Sequence, residues 1–176
     1  MRVRFPRLPD GKRSYSVVER SDGVRYRVHE GVAGPDLPHD AVHFIVELAM
    51  AEDEGFWGAV AAGAVFASME HIDGRRPPHA KERSERAIRA RSDRLQRAEL
   101  MAALVKRIAA ERLTSTDAVA KAAQEALSTL PDAGVDESKA ITAAEALQDT
   151  TRRWAALVPG DELVLEWPEK RQRRRR

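Results

Sequence analysis

Apolar and polar positions alternate through residues 1–30 as they do in extended strands: Val3 and Phe5, then Tyr15, Val17 and Val18, then Val24, Tyr26 and Val28. Pro9-Asp10-Gly11 and Ser21-Asp22-Gly23 separate the three runs with residues that suit tight turns. The pattern predicts three antiparallel strands. A fourth is predicted from Leu163-Val164-Leu165-Glu166-Trp167, after the turn residues Pro159-Gly160, so the sheet would draw on both ends of the sequence.

From Pro38 the period becomes helical, and proline suits a first helical turn, where its missing N–H costs nothing. A first helix is predicted from Pro38 to Asp53, with Ala41, Val42, Phe44, Ile45, Leu48 and Ala49 on one broad face. His39, Asp40, His43 and Glu47 fall together on the other face. A second helix is predicted from Phe56 to Ile72, with Gly58, Ala61, Ala62, Gly63 and Ala64 permitting close approach, and it is expected to be the most buried. Arg75-Arg76-Pro77-Pro78 reads as a stiff linker. A third helix follows from His79 to Leu113. A fourth, capped by Thr114-Ser115-Thr116-Asp117, runs to Leu130, and after a turn at Pro131-Asp132-Ala133-Gly134 a fifth spans Asp136 to Leu157.

The predicted fold class is therefore α+β: a small antiparallel sheet from N-terminal strands plus a C-terminal strand, packed with about five mainly Ala-rich helices. Residues 1–167 are read as a single domain and 168–176 as a disordered basic tail. A chain of 176 residues can bury a core without covalent staples. There is no Cys, which excludes disulfides and thiolate chemistry and leaves His and carboxylates as metal ligands. No charged-then-apolar segment opens the sequence, so a cytoplasmic location is expected. The apolar run Ala59–Met69 is about half the length of a bilayer span, and no membrane association is expected.

Charge is segregated along the chain. Residues 35–73 hold eight carboxylates and no Lys or Arg, whereas 74–112 hold twelve Lys and Arg against five carboxylates. Such blocks can pair inside the fold, recruit partners or favour a homo-oligomer.

His39-Asp40-x-x-His43 places two imidazoles on successive helical turns, where they could hold one zinc or similar divalent ion. Asp40 stands where the related His-Glu-x-x-His pattern carries its general base, on a side chain one methylene shorter. Glu47, or His71 from the neighbouring segment, would be a third ligand, although positions 39, 43 and 47 span about 12 Å of helix. A metal-dependent hydrolase using Asp40 is one reading of this face; a solvated polar face is the other. No Gly-rich phosphate loop and no nucleophile elbow is present. Leu37-Pro38-His39-Asp40-x-x-His43, Phe56-Trp57-Gly58 and Pro159-Gly160-Asp161 with Trp167-Pro168 resemble a group of small uncharacterised actinobacterial proteins. That resemblance implies no activity and assigns no residue a role.

The basic half of the third helix offers Lys81, Arg83, Arg86, Arg89, Arg91 and Arg94. Glu82 and Glu85 stand one turn from Arg86 and Arg89, an arrangement that suits salt bridges along a solvated face. The alternative is a phosphate-facing surface, extended by Arg171, Arg173, Arg174, Arg175 and Arg176 of the tail. The favoured function is that of a noncatalytic binding or interaction protein contacting nucleic acid, another polyanion or an acidic protein surface, with no cofactor.

Overall fold

Three N-terminal strands, β1 (Arg2–Pro6), β2 (Arg13–Glu19) and β3 (Arg25–Val32), pair antiparallel in the computed structural model, which describes residues 1–130 and 134–168. Residues 131–133 of the predicted turn and 169–176 of the predicted basic tail lie outside the described residues. The C-terminal strand β5 (Glu162–Glu166) pairs with β1, with Val3 opposite Leu165 and Phe5 opposite Leu163. The sheet thus closes from both ends, as the alternation predicts. Its inward face carries Val3, Phe5, Ser16, Val18, Val24, Tyr26, Val28 and Leu163. Tyr15 and Val17 point outward, where the guanidinium of Arg27 lies 5.0 Å from the Tyr15 ring centroid.

A fifth strand, β4 (Met69–Asp73), completes the sheet order β4-β3-β2-β1-β5. This corrects the predicted 56–72 helix, which is helical only over α2 (Phe56–Ala61). Gly63, at φ +105°, ends the helical path. The segment beyond it pairs antiparallel with β3 as a sheet edge, and its acids meet basic residues of that strand. Arg25 bonds Asp73 at 2.6 Å, and His29 and Arg27 approach Glu70 at 3.1 and 3.6 Å.

The remaining helices are α1 (His39–Met50), α3 (Ala80–Arg89), α4 (Ser92–Glu111), α5 (Thr116–Ala126) and α6 (Glu137–Ala155), six among the described residues and not five. The predicted 79–113 helix is broken between Arg89 and Ser92, with no Gly or Pro to mark the break in the sequence. Ser115 and Asp136 cap α5 and α6 by accepting from the amides of Ala118 and Lys139. No described helix is long and apolar enough to cross a membrane.

α1 lies between two apolar clusters. Val42, Ile45, Val46 and Met50 pack with Met101, Leu104, Val105 and Ile108 of α4, with α5, and with Ala140 to Leu147 of α6. Ala41 and Phe44 pack on the sheet side with Phe5, Tyr26, Trp57, Trp154 and Trp167. Phe44 meets both Trp57 and Trp167 edge-on, at centroid distances of 5.5 and 5.4 Å. α1 is buried from Ala41 to Glu47, and of the predicted 56–72 helix the buried part is mainly α2, with Trp57, Gly58, Ala59 and Val60.

The corner between α1 and α2 is tight. A Cβ at Gly58 would run into the backbone of Asp53. Gly58→Ala is expected to lower the unfolding free energy by about 2 kcal/mol, read from urea denaturation; an unchanged midpoint would show that the corner yields.

Candidate functional site

The two-sided packing of α1 explains what becomes of its polar face. His43 and Glu47 are 4% and 1% exposed, so that face is not a solvated surface. His39, nearer the helix start, is 64% exposed and Asp40 is 20% exposed. Four polar residues that share a helical face therefore occupy three different environments.

Glu47 is committed to the corner. Its carboxylate accepts the backbone N–H groups of Phe56 and Trp57 at 2.9 Å each and of Gly58 at 3.3 Å. These are the first amides of α2, which has no capping side chain at Gly55. Glycine at 55 leaves room for this arrangement, because a Cβ there would collide with the Glu47 carboxyl group and push it off the amides. Burial pushes the Glu47 pKa up, against the pull of His43 and the amides. The expectation of Glu47 as a metal ligand is corrected accordingly: its oxygens are spent on α2.

His71 is likewise displaced from its predicted place. It sits on the edge strand β4, where its Nε2 lies 2.9 Å from the carbonyl oxygen of Gly74 and its ring meets Tyr26 edge-on. The residue that joins the two α1 histidines is Glu99, on α4. Its Oε2 lies 3.2 Å from His43 Nε2 and 3.8 Å from His39 Nε2. His39, His43 and Glu99 each offer one ligand atom, all within 4.8 Å of one another. Sequence reasoning missed Glu99 because it is 56 positions from His43 and looks like any other exposed glutamate on an amphipathic helix.

Asp40 turns toward β3, where its carboxyl group meets that of Glu30. Burial and the neighbouring Asp40 charge hold Glu30 up at about 8. Asp40 is also raised, by burial, with Glu30 and the two histidines working against the shift. Two carboxyl groups at this separation share a proton more readily than they both ionise. The pair opens onto a cleft of about 430 Å³ lined also by Ser14, His39, Leu37 and Trp154. The predicted role of Asp40 as a free base beside a metal-bound water meets this competing partner, which the sequence did not reveal. Glu30 Oε1 is buried and finds no hydrogen-bond donor among the described residues.

On His43, burial opposes the charged form, yet Glu47, Glu99 and Asp40 together hold its pKa above the usual imidazole value. Neither ring nitrogen finds an aligned hydrogen bond among the described residues. The nearest acceptors are Glu99 at 3.2 Å from Nε2 and Glu47 at 3.8 Å from Nδ1.

The basic residues form a second candidate surface. Ser84 is the buried residue of α3 and fastens it to the segment between α2 and β4, accepting from Val65 N at 2.8 Å and donating to Val65 O at 3.1 Å. Lys81, Arg83, Arg86 and Arg89 are left exposed on the other side. The expected Glu82–Arg86 and Glu85–Arg89 pairs do not form: Arg86 donates to the backbone oxygen of Glu82, and none of the four cations has an ion pair among the described residues. Arg91 is half-buried and bonds the carbonyl of Ala87, and Arg94 pairs at the surface with Glu54 at 3.1 Å, so both already have partners within the fold. Arg171 and Arg173 to Arg176 lie outside the described residues.

No protein-family model, curated protein or solved structure matches the chain.

Two outcomes follow from the buried acids. Glu47→Ala strands three amides at the α1–α2 corner and is expected to cost about 3 kcal/mol of stability, measured by chemical denaturation; a loss below about 1 kcal/mol would mean that water replaces the carboxylate. Because the folded Glu30 pKa is raised, the folded state holds a proton that the unfolded chain releases near its ordinary value of 4.5. Stability should therefore fall as pH rises from 4.5 to about 8. Thermal melts of Glu30→Gln across this range should lack that part of the decline.

Proposed function

We propose that the protein is a noncatalytic interaction protein whose α3 surface contacts a polyanion, nucleic acid before any other. The observation that supports this reading is that four exposed cations on one short helix have no ion pair among the described residues. Arg2, Arg4, Arg7, Arg20, Arg25, Arg27, Arg94, Arg97, Arg107 and Arg152 have carboxylate partners, whereas other cations without one among the described residues, such as Arg13, Lys106, Lys121 and Arg153, are scattered over different elements. Lys81, Arg83, Arg86 and Arg89 have no carboxylate partner among the described residues, although Glu82 and Glu85 stand on the same helix. Arginine and lysine left uncompensated on one exposed helix suit phosphates, which guanidinium groups can bind through paired N–H donors. The preceding linker adds Arg75 and Arg76, both exposed.

Phosphate binding of this kind releases counterions and gives affinity without base reading. Self-association through opposite charge blocks is the poorer fit. The acidic 35–73 segment is already engaged within the chain, with Glu52 and Glu54 bonded to Arg97 and Arg94, and Glu70 and Asp73 to Arg27 and Arg25.

Retention of DNA and RNA by the full chain should fall steeply with salt. Replacing Lys81, Arg83, Arg86 and Arg89 together by Gln should reduce the slope of log K against log salt by roughly one for each phosphate that is no longer bound. A version cut after Pro168 reports the tail's share separately. Absence of binding at low salt, or an unchanged slope in the α3 variant, would transfer the reading to an acidic protein partner.

A further inference from the structure

We propose that His39, His43 and Glu99 form a binding site for one divalent transition-metal ion such as zinc, clamped between the first turns of α1 and the facing side of α4. This site is independent of the α3 surface. It rests first on the convergence of three ligand atoms within 4.8 Å. Ligand atoms around a tetrahedral zinc with bonds of about 2.0–2.1 Å stand about 3.3 Å apart. His43 Nε2 and Glu99 Oε2 already stand at 3.2 Å, and His39 Nε2 lies 3.8 Å from the same oxygen. The closing movement falls on side chains that are free to make it, because His39 and Glu99 are 64% and 62% exposed.

The second support comes from His43, whose side chain is 5% exposed. A buried imidazole ordinarily satisfies its nitrogens, yet neither nitrogen of His43 has an aligned partner among the described residues. Coordination through Nε2 would satisfy one. It would also fix the proton on Nδ1, which faces Glu47 Oε1 at 3.8 Å. Glu47 is itself held by the amides of Phe56, Trp57 and Gly58. A carboxylate behind a ligating histidine, anchored in its turn, is the arrangement that orients metal-binding imidazoles. Glu47 is thus a positioning residue for His43 and not a ligand.

Three protein ligands leave one position for water or an external anion. The same atoms admit one rival arrangement, an imidazolium of His43 bridging Glu47 and Glu99. That arrangement gives His39 no part and takes up no metal.

The test is equilibrium dialysis of the full chain, purified without a histidine tag, against micromolar zinc, followed by elemental analysis. The expected result is about one zinc per chain, with affinity reduced at least about tenfold in Glu99→Gln and in His39→Ala. Both substitutions alter exposed side chains, so folding can be verified by circular dichroism before binding is read. His43→Ala should abolish binding, and if it fails to fold the two exposed variants still decide the matter. No zinc retained by the wild type, or affinity unchanged in Glu99→Gln and His39→Ala, overturns the site.

Discussion

The carboxylate of Glu47, buried at the corner where α1 turns into α2, is the interaction on which the rest of the structure depends. A carboxyl group with 1% exposure is accommodated there because three backbone amides point at it. Those amides are orphans of a helix start, and α2 has no side-chain cap of its own. The requirement is reciprocal: the helix needs an acceptor and the carboxylate needs donors. Trp57 is fixed as a consequence, with its backbone on Glu47 and its indole N–H on the Asp40 carbonyl at 2.7 Å. From Trp57 the order spreads into the aromatic cluster of Phe5, Phe44 and Phe56, which joins helices to sheet.

The same constraint organises the neighbouring chemistry. With Glu47 pinned, His43 is held one turn earlier in the wall between α1 and α4, and Glu99 and His39 close around it. Asp40, on the side of α1 nearest the sheet, meets Glu30 instead. One short helix thereby distributes a capping carboxylate, a His-His-Glu cluster and a proton-sharing carboxyl pair into separate surroundings.

Charge segregation along the sequence resolves partly into internal pairing. Acids of residues 35–73 hold β4 to β3 and α4 to the loop after α1. Arg107 joins α4 to α5 through Glu125 at 2.8 Å. Exposed pairs of this kind contribute only tenths of a kcal/mol each and mainly select register and orientation. On α3, Ser84 docks the helix through hydrogen bonds to Val65, and four cations unmatched among the described residues are gathered along its exposed surface.

Local pattern determined a good deal. Alternation with Gly turns placed β1, β2, β3 and β5, and capping residues placed the starts of α5 and α6, because backbone conformation at these points depends on near neighbours. The histidine pair at 39 and 43 was legible for the same reason, since helical spacing alone brings the rings to 4.5 Å. Tertiary structure decided what depended on distant partners. The Ala-rich run after α2 carried helical propensity, but the free edge of β3 takes Met69 to Asp73 as a strand, with Arg25 and Arg27 beside Asp73 and Glu70 selecting its register. Glu47 looked like a ligand until the amides of α2 claimed it. Glu99 and Glu30 had no local mark at all: a carboxylate acquires its role from what faces it across the fold, and no periodicity along the chain records that.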